Sequence, residues 1–287
     1  MLRLRKPERT RVGALRHNLP SWKDAIDYQL TRLPQLYLFV DAFLKGVNWD
    51  RRVYLSLVRR GDVVLDVGAN VGAHTLFFSR LVGGSGRVLA FEPLSANVAE
   101  MQRTLSRRSR LNNVQIFPMA LGEASSPVRV TLNIPGDDLT QASLRRQRAG
   151  SWDRNSVTEC LVPLRSLDSI PEVAGSSHID FVKIDVEGGE LDVLKGAART
   201  LATHHPVLYC ELDDRWTASF GYEARDLFAF LQSLGYTGGR VVSRGRLHRL
   251  DLKLQPPKSL FEISSNVLFF GDQHQDSVNR FDQRYAN

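Results

Sequence analysis

Asp62-Val63-Val64-Leu65-Asp66-Val67-Gly68-Ala69-Asn70-Val71-Gly72 is the stretch that decides the fold. An apolar run ends in an acid and passes into a small, glycine-spaced loop. That is how a buried parallel strand hands over to a nucleotide-binding turn. Small residues let the backbone turn sharply and approach a ligand, and the helix that follows offers unpaired N–H groups. A second acidic stop, Phe91-Glu92-Pro93, closes the next apolar run, with Glu92 standing 24 residues beyond Gly68. A carboxylate in that place can accept hydrogen bonds from ribose hydroxyls, whether the ribose belongs to an adenosine cofactor or to NAD.

Outward from this stretch, strands and helices alternate. Val63–Val67, Arg87–Phe91 and Val114–Phe117 read as strands, with helices over Ala73–Leu81 and from Ser95 to about Arg107 between them. The rhythm resumes with strands at Ile179–Ile184 and Pro206–Leu212 and helices at Gly189–Leu201 and Glu223–Leu234. Val241–Val242 and Asn266–Phe270 are the last strands. The final strand follows a stretch without helical pattern, so it is expected to run antiparallel. The expectation is an α/β fold: a mostly parallel seven-stranded sheet, helices on both faces. Residues 124–165 interrupt the rhythm. Val128–Leu132 and Val157–Leu164 read as strands around a polar loop over 134–156, with Arg145, Arg146 and Arg148. A loop this long inside a compact domain is expected to serve a function, here as a mobile substrate loop.

The domain reading is a basic helical extension over 1–58, the α/β domain over 59–272 and a polar tail over 273–287. In the extension, Leu36, Leu38, Phe39, Ala42 and Phe43 are expected to share an apolar face that covers the sheet domain. The formal charge of +7 is uneven: residues 1–60 hold 13 Lys and Arg against 5 Asp and Glu, and the remainder holds 25 against 26. The excess thus belongs to the extension. Its arginines are scattered with little aromatic surface between them, which disfavours nucleic acid as a partner. Two cysteines, Cys160 and Cys210, are too few for a disulfide framework and read as free buried thiols in a reducing compartment. Residues 1–20 lack the apolar region of a signal peptide, and Leu36–Leu44 is far too short for a transmembrane segment. A cytoplasmic soluble protein is the expectation.

The glycine loop departs from the dinucleotide fingerprint Gly-x-Gly-x-x-Gly: Asn70 stands at the second glycine and Ala73 at the third. Asp66, at the mouth of the turn, would repel a pyrophosphate and suits a cationic or amine-bearing ligand. Both features count against an NAD-dependent oxidoreductase. A third constellation, Lys183-Ile184-Asp185-Val186-Glu187-Gly188-Gly189-Glu190, ends the fourth strand of the sheet, where an open α/β sheet has its ligand crevice. Strand alternation puts Lys183, Asp185 and Glu187 on one side. Glu190 reads more plainly as a favourable charge at the next helix N-terminus. His74 is a possible base that reads mostly as an ordinary helix residue, and His204-His205 reads as a loop. No spacing of metal ligands is present, so no metal is expected.

The Asp66–Gly72 loop, the Phe91-Glu92-Pro93 stop, Ala120-Leu121-Gly122 and the Lys183–Glu190 block together resemble the FkbM family of Rossmann-like class I methyltransferases. Asn133, Gly136 and Ser143-Leu144 resemble that family's middle segment; the arginines at 145–148 do not. The resemblance covers about residues 60–215, with a weaker echo to 271. It implies S-adenosylmethionine as cofactor and methylation of a hydroxyl on a sugar, glycan or polyketide-type small molecule. It further implies that Gly68, Asn70 and Gly72 line the methionine part of the cofactor and that Asp66 holds that end. Glu92 would take the ribose hydroxyls, and Ala120 and Leu121 would flank adenine. Asp185 and Glu187 would face the methyl group and the acceptor, one of them as base, with Lys183 tuning its charge. An RNA-directed methyltransferase or a nucleic-acid-binding protein using the basic arm is the remaining alternative beside the oxidoreductase.

Overall fold

The computed structural model describes residues 48–108, 112–136, 138–147, 152, 156–243, 246–252, 261 and 265–285, together with 29, 33, 36, 37 and 39. Its centre is a sheet of eight strands: β1 (Val63–Val67), β2 (Arg87–Phe91), β3 (Val114–Phe117), β7 (Phe181–Ile184), β8 (Val207–Leu212), β9 (Gly238–Ser243), β10 (Arg246–Asp251) and β11 (Ser265–Phe270). Their order across the sheet is β10-β9-β11-β8-β7-β1-β2-β3. The five strands from β8 to β3 are parallel, and β11, β9 and β10 add antiparallel. The direction of winding reverses between β1 and β7, which opens a crevice above their carboxyl ends.

The sheet thus has one strand more than the sequence leads one to expect. β10 reads Arg-Leu-His-Arg-Leu-Asp and lies on the outer edge, paired with β9. Charged residues on an exposed edge are a common guard against unwanted pairing, and with its two leucines three residues apart the strand shows no apolar alternation. A second sheet is built from β4 (Ala120–Leu121), β5 (Val128–Pro135) and β6 (Val157–Arg165), in the order β4-β6-β5. It accounts for the interruption at 124–165.

Two cores flank the large sheet. The helices whose bounds lie in the described residues are α1 (Trp49–Leu57), α2 (Ala73–Val82), α3 (Ser95–Arg108), α4 (Pro171–Ala174), α5 (Glu190–Lys195), α6 (Ala198–His204), α7 (Asp214–Thr217), α8 (Ala224–Ser233) and α9 (Gln275–Tyr285); Leu36, Tyr37 and Phe39 are also helical. Because side chains alternate along a strand, Leu65, Leu89, Val182 and Leu208 face one side. There they pack with Leu191, Leu194, Leu201, Leu227 and Leu231 from α5, α6 and α8. Val64, Val88, Phe181, Tyr209 and Leu268 face the other, against α1, α2 and α9. The stretch 189–201, expected as one helix, is two. Asp168 caps α6 from outside, accepting from Arg199 N at 2.8 Å and Thr200 N at 2.9 Å. The break falls at Gly196, where a β-carbon would stand 2.2 Å from the Gly122 carbonyl oxygen.

Residues 273–287 are not a tail through most of their length. α9 buries Val278 and Phe281 against the sheet, and Asp282 forms a buried pair with Arg240 of β9. Two well-buried apolar residues on one face of an otherwise polar helix explain why the stretch reads as solvent-exposed. In the N-terminal extension the expected inward face is also different: Tyr37 is buried, against Phe77 of α2, while Leu36 and Phe39 are 45% and 70% exposed. Leu38, Ala42, Phe43 and the basic arm before residue 29 lie outside the described residues. No helix among the described residues is long and apolar enough to cross a membrane.

Phe281→Ala opens a void in this core and removes a large buried ring. Urea unfolding should show a loss of roughly 3–5 kcal/mol; a change below about 1 kcal/mol, the range of surface positions, would mean that α9 does not dock on the sheet.

Candidate active site

The register of the strands assembles the site. Asp66 of β1 is the parallel partner of Lys183 of β7, and Lys183 is in turn the partner of Tyr209 of β8. Two residues further along their chains, on the same side, stand Asp185 and Glu211. Lys183 is 4% exposed and Asp66 fully buried. The Lys183 ammonium lies 3.1 Å from Asp185 Oδ2 and 3.7 Å from Asp66 Oδ1. The other oxygen of Asp66 accepts from Thr75 Oγ1 of α2 at 2.6 Å. Burial works against a charged lysine here, but the carboxylates of Asp185 and Asp66 outweigh it and raise the Lys183 pKa. For Asp185 burial likewise opposes the charge, and Lys183 overcomes it, so its pKa is lowered.

The glycine loop leaves β1 through two left-handed residues, Gly68 (φ 77°) and Asn70 (φ 50°). At Gly68 a β-carbon would fall 1.8 Å from the Asp185 carbonyl oxygen, so only glycine lets the loop pass under the end of β7. Glu92, at the end of β2, holds the loop from the other side. Its Oε2 accepts from Asn70 N at 2.9 Å; its Oε1 accepts from Leu94 N at 2.9 Å and from Asn97 Nδ2 at 3.2 Å. A carboxylate has about four acceptor positions. Glu92 therefore enters the site pre-oriented, with about one position left for a ligand. Burial raises its pKa, the three hydrogen bonds counteracting.

A cavity of about 310 Å³ occupies the crevice. Gly68, Asn70, Glu92, Ala120, Leu121, Lys183, Asp185 and Glu187 line it. Asp66 and Gly72 stand behind the wall: Asp66 balances Lys183, and Gly72 (φ 82°) packs against Met101, whose Cγ lies 2.4 Å from where a β-carbon would sit. The second sheet and its insert roof the cavity with Leu132, Leu139, Thr140, Ala142 and Leu144. A bridge ties the insert together between Asn133 and Ser143, each N–H donating to the other's carbonyl at 2.9 Å.

Glu187 has a left-handed backbone (φ 56°) that carries its side chain to the cavity. Burial first, then the neighbouring charges of Asp185 and Glu190, push its carboxyl up to about 8. Glu190 is 2% exposed and works inside the turn: Oε1 accepts from Val186 N and Gly188 N, both at 3.2 Å, and Oε2 from Tyr222 OH at 3.1 Å. Its pKa is pushed up to about 7 by burial, against those backbone bonds. His74 lies on the cavity wall, its ring 5.6 Å from that of Tyr54. Burial, then Lys183, holds it below the usual histidine value.

Carboxylate oxygens of Asp185, Glu187 and Glu211 come within 4.8 Å of one another. Such a trio can present negative potential to a cationic ligand, or oxygen donors to one hard cation. Neither Glu211 nor Asn97 is among the residues that the sequence motifs single out. A signal for Glu211 exists: it follows Cys210 near the end of β8, the strand beside β7, and strand ends border the crevice.

The cavity therefore joins a shaped glycine turn, a fixed acid on the second strand and an acidic cluster at the switch point. A profile of the Methyltransferase FkbM domain matches residues 66–237. Methyltransferase 1 of Beauveria bassiana is 27% identical over 181 residues, covering 59% of this chain and 72% of that protein. The hexuronic acid methyltransferase AglP of Haloferax volcanii is 28% identical over 158 residues, 55% of this chain and 59% of AglP. The 2-O-methyltransferase NoeI of Sinorhizobium fredii is 28% identical over 173 residues, 57% of this chain and 69% of NoeI. Among solved structures, the methyltransferase FkbM from Methylobacillus flagellatus shares 19% identity, covering 86% of this chain and 59% of that one, with a TM-score of 0.44. The matched span runs from the acid on β1 to the threshold of β9 and takes in more than half of the chain: the protein belongs to the FkbM family of methyltransferases.

Proposed function

We propose that the protein transfers a methyl group from S-adenosylmethionine to a hydroxyl oxygen of a sugar, glycan or polyketide-type small molecule. The observation that carries this reading is Glu92, buried at the end of β2 and aimed by Asn70, Leu94 and Asn97. An acid so placed suits a ribose hydroxyl. Asp185, Glu187 and Glu211 suit the positive end of the same cofactor, and the apolar pair Ala120 and Leu121 suits a flat base. Among the described residues, Lys183 is the only Lys or Arg on the cavity wall, and it is tied to Asp66 and Asp185. A pyrophosphate would find no free counter-charge there, which weighs against NAD. The names of AglP and NoeI, a hexuronic acid methyltransferase and a 2-O-methyltransferase, support an oxygen on a sugar as the acceptor.

When bound, the sulfonium supplies an already activated methyl group. Two requirements then fall on the chain. The acceptor oxygen must be aligned with that carbon, which the insert does by closing one side of the cavity. The hydroxyl proton must also be received. Glu187 suits the second requirement, because its raised pKa makes it a stronger base than an ordinary carboxylate. Asp185, held ionised by Lys183, keeps the field negative.

Incubation with methyl-labelled S-adenosylmethionine and a panel of neutral sugars, uronic acids, macrolides and RNA should label a sugar or macrolide hydroxyl; label on RNA alone would overturn the assignment. Glu92→Gln should weaken S-adenosylhomocysteine binding about tenfold in calorimetry, the worth of one buried charged hydrogen bond; unchanged affinity would place the ribose elsewhere. Because Glu187 must be ionised to accept a proton, turnover should rise with pH and level off above about 8. Glu187→Gln should abolish that rise and lower turnover by roughly 10²–10⁴. A flat profile in the parent protein would remove Glu187 from the role of base.

A further inference from the structure

We propose that Ser143 and Gln147 are positioning residues: they clamp the main chain of Glu187, so that the insert roofing the cavity also sets the carboxylate inside it. This inference rests on the function proposed above. Glu187 has a β-carbon and yet adopts the left-handed region, which L-residues other than glycine rarely occupy. Such a conformation persists only where the surroundings enforce it. The enforcing contacts converge on one atom. Ser143 Oγ donates to the Glu187 carbonyl at 2.8 Å, and Gln147 Nε2 donates to the same oxygen at 3.1 Å. Gln147 Nε2 also lies 3.2 Å from Ser143 Oγ, which ties the two donors together. Ser143 is 1% exposed and Gln147 4%, so these bonds are made away from competing water.

The donors are themselves fixed. Ser143 is the residue whose backbone bridges to Asn133 of β5 in both directions. Its neighbours Ala142 and Leu144 line the cavity, as Leu139 and Thr140 do. On the opposite side of the turn, Glu190 holds Val186 N and Gly188 N. Glu187 is thus gripped through its carbonyl by the insert and through its flanking amides by α5, which fixes the direction in which its side chain leaves the backbone. Displacement of the insert breaks the grip on the carbonyl.

The test compares Ser143→Ala and Gln147→Ala, each in the parent protein and in Glu187→Gln. Hydrogen exchange followed by mass spectrometry should show faster exchange in the segment 185–189 in both variants, with the strands unchanged. Ser143→Ala, which removes the hydroxyl that donates to the Glu187 carbonyl and accepts from Gln147 Nε2 and Arg145 N, should lower kcat about tenfold, with S-adenosylhomocysteine affinity and acceptor KM unchanged. In Glu187→Gln the same substitution should cost less than about twofold, because coupled residues are not additive. Equal losses in both backgrounds, or unchanged exchange over 185–189, would overturn the proposal. Should either variant fail to fold, the other carries the same readouts. Hydrogen exchange needs no turnover, so a protein that methylates no acceptor would sink the functional reading while the clamp is still decided.

Discussion

A buried ammonium between two carboxylates is the constraint on which the rest of this site depends. Lys183 has lost nearly all its contact with water, and an isolated charge there would be far too costly to keep. Asp66 and Asp185 make it tolerable, and each is delivered by a strand end: Asp66 by parallel register with Lys183, Asp185 by its place two residues on. Removing Lys183 from this cluster leaves its buried carboxylates uncompensated, at a cost of about 3–5 kcal/mol. The register of β1 against β7 is therefore fixed by electrostatics as well as by apolar packing. Thr75 extends the constraint to α2, since its hydroxyl occupies the second oxygen of Asp66. The same cluster explains why the cavity presents acid and not base. Lys183, the lysine on its wall among the described residues, is paired inside the protein.

Above that fixed floor, the second sheet supplies a wall of different character. Leu132, Leu139, Ala142 and Leu144 are apolar and come from an insert, whereas Glu92, Asp185 and Glu211 are acidic and come from strand ends or the turn just beyond them. A parallel sheet alone offers an open crevice, in which water would compete for every hydrogen bond. The β4-β6-β5 sheet closes one side of that crevice, and its loop reaches across to Glu187. Floor and wall thus meet at one residue.

Most of the floor was legible in the sequence, because each acid follows an apolar run whose period announces the strand. Asp66, Glu92 and Asp185 mark three such strand ends, and the crevice rule then places them together. The legible signal thinned wherever structure depends on contacts distant in sequence. Glu211 has no motif of its own and matters because β8 lies beside β7. The roof of the cavity depends on a bridge between Asn133 and Ser143 that no local pattern announces. β10 was hidden by its lack of apolar alternation. α9 was hidden by a polar surface broken by Val278 and Phe281, and Tyr37 by a helix whose apolar residues face outward at Leu36 and Phe39. Gly72 has a requirement that no motif announces: Met101 packs where a β-carbon would stand.

The sequence also left two carboxylates competing for one role, and their environments divide them. Asp185 lies against Lys183 and loses proton affinity; Glu187, buried and close to the charges of Asp185 and Glu190, gains it. Two acids separated in this way can serve different ends within one cavity, the first as a standing negative charge and the second as a proton acceptor near neutral pH. The division depends on the charges each carboxylate meets more than on residue type. The left-handed turn at Glu187 brings its side chain to the cavity wall beside Asp185, and the Glu187 carbonyl, held by Ser143 and Gln147, is where that turn is secured.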